Sequence, residues 1–327
     1  MKKTIERDIH ILRYFSAVIS VAQGRVINIT DPQLTFCPLA SHLYRGFKTA
    51  GQADKVALKR EIKKAIESKI RDFGLFTPER RFLAGDLAVP YGASEMLKSA
   101  LNKKAIEAAV IVCDGAGTVL TDNGSIVQGI GGRMNTLLMT SPIPEIIERL
   151  KQEGCRIVFE NALIDQIKGV KLAIRSGYKK IAVTVCGHDA DKLKTLRQLE
   201  AAGIQITILV VCTTGISDAA IQAIRGQADI VWSCASQEVR ENIGPVALLQ
   251  ISKIIPIFVL TSRGIKFLAA FAQDASPLWE LEQAKQYLIS NDPQGHPIRL
   301  GNTNGYLCQK QLPALSKESF VFVNAQN

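Results

Sequence analysis

Residues 180–212 read KIAVTVCGHDADKLKTLRQLEAAGIQITILVVC, and this stretch decides the fold. Two near-continuous apolar runs, Lys180 to Cys186 and Gln205 to Cys212, flank a charged segment, Ala190 to Ala202, whose leucines recur at helical spacing. Runs without polar alternation belong to strands buried on both faces, and a helix between two of them returns the chain for parallel pairing. The pattern extends both ways. Upstream, Ala109 to Cys113 and Arg156 to Glu160 read as strands, with helices at Ile143 to Gln152 and Leu163 to Ser176. Downstream, Asp229 to Cys234 and Ile255 to Thr261 read as strands, with helices at Ser217 to Arg225, at Gln237 to Gln250 and after Arg263. The expected fold is therefore α/β, an open doubly wound, mainly parallel sheet over residues 105–272.

The flanks differ. Residues 1–104 predict a smaller α+β amino-terminal region, in which Ala17 to Val21 and Val26 to Ile29 flank a Gln23-Gly24 turn. A helix over Lys55 to Arg71 ends near Phe73-Gly74, where the glycine is a cap, and Gly92-Ala93-Ser94-Glu95 opens a second helix that runs to Asn102. Residues 273–327 read as an irregular carboxyl-terminal tail with one strand-like run, Phe320 to Val323.

An apolar fraction of 47% and a charged fraction of 21% in 327 residues exclude disordered and fibrous classes. The net charge of +10 is dispersed, and its densest run, Lys55 to Arg71, has the apolar spacing of a solvated helix rather than of a nucleic-acid patch. That charge suits a small anionic ligand or an acidic protein partner, and no nucleic-acid motif accompanies it. Glu6, Arg7 and Asp8 interrupt any signal core, and no run reaches the roughly 18 apolar residues that span a bilayer. The expectation is a cytoplasmic protein without membrane contact. Seven cysteines, an odd number in a reducing compartment, point to free thiols, metal ligands or redox chemistry rather than to a disulfide framework.

Ligands of open parallel sheets bind beyond the carboxyl ends of the strands. At those ends the sequence delivers Cys113-Asp114-Gly115-Ala116-Gly117-Thr118, Cys186-Gly187-His188, Cys212-Thr213-Thr214-Gly215 and Cys234-Ala235-Ser236, whereas Cys155 opens a strand at the opposite edge. Asp114 is the acid/base candidate and also an ordinary turn residue. A loop from Asp114 to Pro142 would bring Gly131, Gly132 and Arg133 to a ligand, the glycines for close approach beside Gly115, Gly117 and Thr118, the arginine for a carboxylate or phosphate. Thr213, Thr214 and Gly215 form a strand-to-helix turn that either holds an anion or simply leads to the Ser217 cap. His188 either joins the same site or serves as a cap or surface group. Pro38 biases Cys37 toward an extended backbone, which presents the thiol rigidly or packs it as a small hydrophobe. The catalytic candidates are Cys37, Cys113 and Asp114. Cys113, Cys212 and Cys234 are the candidate ligands of a soft metal or iron–sulfur centre.

These blocks resemble the methanogenesis marker protein 8 family. The resemblance rests on Cys37-Pro38-Leu39, Gly92 to Glu95, VCDGAGTV from Val112, VQGIGGRM from Val127, Thr140 to Ile143, Gly177 to Val185, Thr213 to Gly215 and Cys234 to Ser236, in order over residues 17–272. Cys212 departs from the histidine frequent at that place in the family. The resemblance implies an oxygen-poor setting and one-carbon or sulfur metabolism, and it supplies no reaction. Two functions stay open: an enzyme or cofactor-handling protein acting on a small anionic substrate with strand-end cysteines and an aspartate, or a non-catalytic metal or iron–sulfur carrier or assembly factor within a larger anaerobic complex.

Overall fold

Period-two burial along HILRY and AVISVA makes β1 (His10–Tyr14) and β2 (Ala17–Ala22) half-buried strands. Two-residue turns with both central residues left-handed, Phe15-Ser16 and Gln23-Gly24, connect them to each other and to β3 (Arg25–Ile29). Such turns match the twist of antiparallel strands. The computed structural model that shows this describes residues 8–34, 37, 40, 54–82, 89–201 and 203–316. The expected strand at Phe320 to Val323 lies outside them.

α1 (Lys55–Phe73) lays Leu58, Ile62 and Ile66 against Leu12, Ile19 and Val21 of this sheet. Asp54 caps its start by accepting from the Val56 N–H, and Gly74 ends it at φ 68°, its N–H bonded to the Ile70 carbonyl. A side chain at Gly74 would meet both the left-handed backbone and the Glu79 carbonyl oxygen, 2.4 Å from the added carbon. Gly74→Ala is expected to lower stability by about 2 kcal/mol. An unchanged denaturation midpoint would contradict this placement.

The larger sheet has eleven strands, in the order β14-β15-β13-β11-β12-β10-β9-β8-β4-β5-β7. At its centre β4 (Ala108–Cys113), β8 (Lys180–Cys186), β9 (Gln205–Val211) and β10 (Ile230–Trp232) are parallel, as the sequence predicts. The remainder corrects the expectation of a mainly parallel, doubly wound sheet: the sheet is mixed. Gly115 and Gly117, both left-handed, fold β5 (Gly117–Thr121) back on β4 as a hairpin, and β7, only Arg156–Ile157, pairs antiparallel with β5. β12 (Ile257–Val259) runs antiparallel between β10 and β11 (Leu249–Ile251). The helix expected to Gln250 stops at Ile243, because Pro245 cannot continue it. The supposed irregular tail adds β13 (Tyr287–Ser290), β14 (His296–Leu300) and β15 (Thr303–Gln309) to the sheet.

Helices cover both faces. α2 (Ala93–Asn102), α3 (Gly124–Gly131), α4 (Pro144–Gln152) and α9 (Ser262–Ala269) pack Met96, Ile126, Ile146 and Leu268 against Ile111, Leu209 and Ile230. α5 (Gln166–Arg175), α6 (Lys192–Gln198), α7 (Asp218–Gln227) and α8 (Gln237–Ile243) pack Val170, Leu193, Ile221 and Val239 against Val183, Ile208 and Val231. A short α10 (Ser276–Trp279) completes ten described helices. The segment read as one long loop, Asp114 to Pro142, holds β5, α3 and β6 (Thr136–Thr140). β6 crosses to the amino-terminal sheet and pairs with β1, so the two sheets are tied through the chain that follows β4.

Candidate functional site

The tip of β4 is a structural joint. Asp114 is fully buried: its Oδ1 accepts from Arg80 Nε at 3.0 Å and its Oδ2 from the Phe76 N–H at 2.7 Å. Arg80, 1% exposed, spends its other nitrogens on the carbonyls of Arg81, Gly129 and Ile130. With both carboxylate oxygens occupied and no solvent contact, Asp114 is placed as a counter-ion rather than as the expected acid/base. Cys113 shares this core, its Sγ donating to the Asp114 carbonyl at 3.2 Å; burial first, then the Asp114 charge, pushes its thiol well up. Gly115 donates to Thr140 Oγ1, the Ala162 carbonyl covers Gly117, and Thr118 Oγ1 donates to the Leu163 carbonyl while accepting from the Asp165 N–H. These three residues, expected to border a ligand, close a hairpin instead.

The tips of β8, β9 and β10 differ. Cys186, Cys212 and Cys234 keep partial exposure, as does Cys37 from the first region, whereas Cys113 and Cys155 are buried. Cys186, Cys234 and Cys37 all lie within electrostatic range of the Cys212 thiol, and ionising any of them would push it further up. Cys155 stays apart, next to Arg156, which pairs with Leu120 toward the far end of β5. Cys212 and Cys234 both adopt left-handed backbone, φ 58° and 49°. That geometry costs a non-glycine residue stability and tends to collect at functional sites.

Burial raises all three strand-tip thiols, Cys186 to about 11. Cys234 has the strongest opposing set: the N–H groups of Thr213 and Cys212, the Arg240 guanidinium and the Thr213 hydroxyl all favour its thiolate. Arg240 is itself buried and donates to the Cys234 carbonyl at 2.7 Å. Thr213 also donates its hydroxyl to the Trp232 carbonyl, 2.7 Å away. Thr214 accepts on its carbonyl from His188 Nε2 at 3.2 Å, and Gly215, left-handed at φ 72°, faces the Arg13 guanidinium. Arg13 lies 2.6 Å from His188 Nε2; burial and that cation lower the pKa of His188.

The connection after α3 closes the cluster from above. Gly131 packs on Ser94 of α2, and Gly132 caps α3. Arg133 places its guanidinium 4.8 Å over the Phe73 ring, and Thr136, three residues on, hydrogen-bonds with the Cys212 thiol. Asn135 accepts from Lys69 Nζ at 2.5 Å. Lys69 is 5% exposed, and burial, reinforced by the Arg133 cation and opposed by Cys37, lowers its ammonium to about 7.

The model of a family described as an uncharacterised protein conserved in archaea (DUF2099) matches residues 10–272 of this chain. The chain belongs to that family. An uncharacterised protein of Methanocaldococcus jannaschii is 40% identical over 294 residues, which span 89% of this chain and 99% of the relative. No solved structure matches. The family's span contains Lys69, Arg133 and these four thiols and ends before β13.

The expected metal set is not assembled. Among the described residues no group of three or more His, Cys, Asp or Glu is arranged to hold a metal ion, and Cys113 lies in the Arg80–Asp114 core. Two surface hollows sit elsewhere, one of about 380 Å³ along Leu138–Pro142 and Asn161–Ile164, the other of about 150 Å³ beside Trp279. No described helix is long and apolar enough to cross a membrane.

Sequence reasoning missed Lys69, Arg80, Arg13 and Arg240. Lys69 had a signal: it follows Ile62 and Ile66 at helical spacing, which puts a lysine on the apolar stripe of α1. Arg80 and Arg13 have none, because their partners Asp114 and His188 lie 34 and 175 positions away, and Arg240 sits in a charged stretch that gives no sign of burial.

Proposed function

We propose that this protein is a cytoplasmic, thiol-dependent enzyme or cofactor-handling protein that acts on a small anionic substrate at the tips of β8, β9 and β10. The resemblance to methanogenesis marker proteins is the support for assigning that chemistry, within this proposal, to anaerobic one-carbon or sulfur metabolism. One observation carries the reading: Cys186, Cys234 and Cys37 lie within electrostatic range of Cys212, and the chain turns left-handed at a cysteine after both β9 and β10. Cysteines that merely pack would be expected in relaxed backbone and away from solvent.

Cys234 is the nucleophile of this proposal. At rest its thiol is protonated, because desolvation outweighs the donors around it. Removing the proton leaves a thiolate facing the backbone N–H groups of Thr213 and Cys212 and the charge of Arg240. Arg13 beside Cys186 and Arg240 beside Cys234 supply positive charge that an anionic substrate needs. Cys212 and Cys186, within electrostatic range of each other and of Cys234, are the candidate resolving thiols.

Alkylation of the native protein without oxygen tests this. Cys234 labelling by iodoacetamide should be slow at neutral pH, rise with pH, and disappear in Cys234→Ser. Cys113 and Cys155 should stay unlabelled until the protein unfolds. Uniform labelling in native protein, or none at the strand tips over the range in which the protein stays folded, would reduce these residues to core packing. Stoichiometric iron or zinc with acid-labile sulfide in the same preparation would favour the carrier function instead.

A further inference from the structure

We propose that Lys69 is a nucleophilic amine, and that the substrate is a small carbonyl compound bearing a carboxylate or phosphate, which Lys69 captures as an imine. This deepens the reading of an anionic ligand at the strand tips and rests on it. Lysines on solvated helices are protonated and inert, and two devices make one reactive: desolvation and a neighbouring cation. Lys69 has both. It lies on the buried stripe of α1, with its Nζ 5.6 Å from the Tyr14 ring centre. Arg133 stacks on Phe73, one helical turn further along the same helix.

Among the described residues, Tyr14 from β1, Arg133 and Asn135 from the connection before β6, and the Cys37 thiol act on Lys69. Of these, Arg133 disfavours the ammonium and Cys37 favours it only as a thiolate. Half of the amine is therefore free base near pH 7. Asn135 holds the nitrogen, and the neighbouring Thr136 hydrogen-bonds the Cys212 thiol, so one short segment links amine and thiol.

Capture balances without a further reactant. The ammonium gives up a proton and its lone pair forms a bond to the carbonyl carbon, while the carbonyl oxygen takes a proton. Loss of water leaves a protonated imine, so that ammonium plus carbonyl becomes iminium plus water. Arg133 is the nearest cation for the substrate's anionic group. An iminium then withdraws electrons from the substrate carbon next to it, where a thiol group can act.

Reductive trapping decides the question. Native protein at pH 7 is treated with glyoxylate and cyanoborohydride, and adducts are mapped by mass spectrometry. Lys69 should react about tenfold faster than the exposed Lys63 and Lys64, because burial leaves part of its amine unprotonated at that pH, an advantage reduced by lower basicity and restricted entry. Lys69→Arg should remove that adduct and leave the rates at Lys63 and Lys64 unchanged. Arg133→Ala should slow trapping of glyoxylate at Lys69 several-fold more than trapping of neutral formaldehyde. Trapping at Lys69 no faster than at Lys63 overturns the reactive amine, and equal losses with the two aldehydes overturn the anionic substrate. Alkylation of Cys234 in the same samples reads the thiol reaction separately, so either can fail without the other.

Discussion

Arg80→Met should destabilise the protein by about 3–5 kcal/mol, the largest loss expected from a single side chain away from the thiols. The substitution leaves Asp114 charged, fully buried and stripped of the Nε–Oδ1 bond, with only the Phe76 N–H on the other oxygen. It also frees the carbonyls of Gly129 and Ile130 at the end of α3, where a guanidinium complements the carboxyl-terminal partial charge. Because the two partners interact directly, the double substitution Arg80→Met/Asp114→Asn should recover part of the loss, which two independent losses would not. Chemical denaturation of the two single variants and the double variant measures this. A loss below about 1 kcal/mol for Arg80→Met would mean that water reaches Asp114, and would reopen its candidacy as an acid/base.

The same ion pair shows how far local sequence could be read. Elements held by local rules were legible: α1 with Asp54 and Gly74 at its ends, the Gln23-Gly24 turn, and the parallel centre β4-β8-β9-β10. The hairpin after β4 was not. Asp114-Gly115-Ala116-Gly117 looks equally like a ligand loop and a turn, and what separates them is the Ala162 carbonyl over Gly117, which comes from 45 positions later in the chain. Antiparallel β12 was lost for a related reason, since a short run buried on both faces carries no direction. At the site, residue type and strand-end position pointed to Cys37, Cys212 and Cys234 without distinguishing them from Cys113. The difference is in pairing: the ladder between β4 and β8 stops at Val110–Val183, and the last residues of β4 follow β5. No strand periodicity records where two neighbours part.

Lys69→Met should stabilise the protein at pH 7, by a net of about 2 kcal/mol, and the gain should disappear as the pH rises. Burial in the folded protein lowers the ammonium to about 7, against the ordinary 10.5 of an unfolded chain. Between those values the unfolded state binds more protons, so wild-type stability rises with pH; at pH 7 the buried amine still costs about 4 kcal/mol relative to a neutral side chain. Methionine fills similar volume without that cost, but it leaves the Asn135 carbonyl without the 2.5 Å donor, an offset of about 2 kcal/mol. Near pH 9.5 roughly 1 kcal/mol of the titration cost remains, which the lost hydrogen bond cancels or reverses. Denaturant unfolding of both proteins at the two pH values is the measurement. A variant that is destabilised at pH 7, or a difference that ignores pH, would show Lys69 charged and favourably paired, and the amine would then lack the free base that capture of a carbonyl requires. A position where a better-packing residue stabilises the fold but removes the reactive group marks a site retained for chemistry rather than for stability.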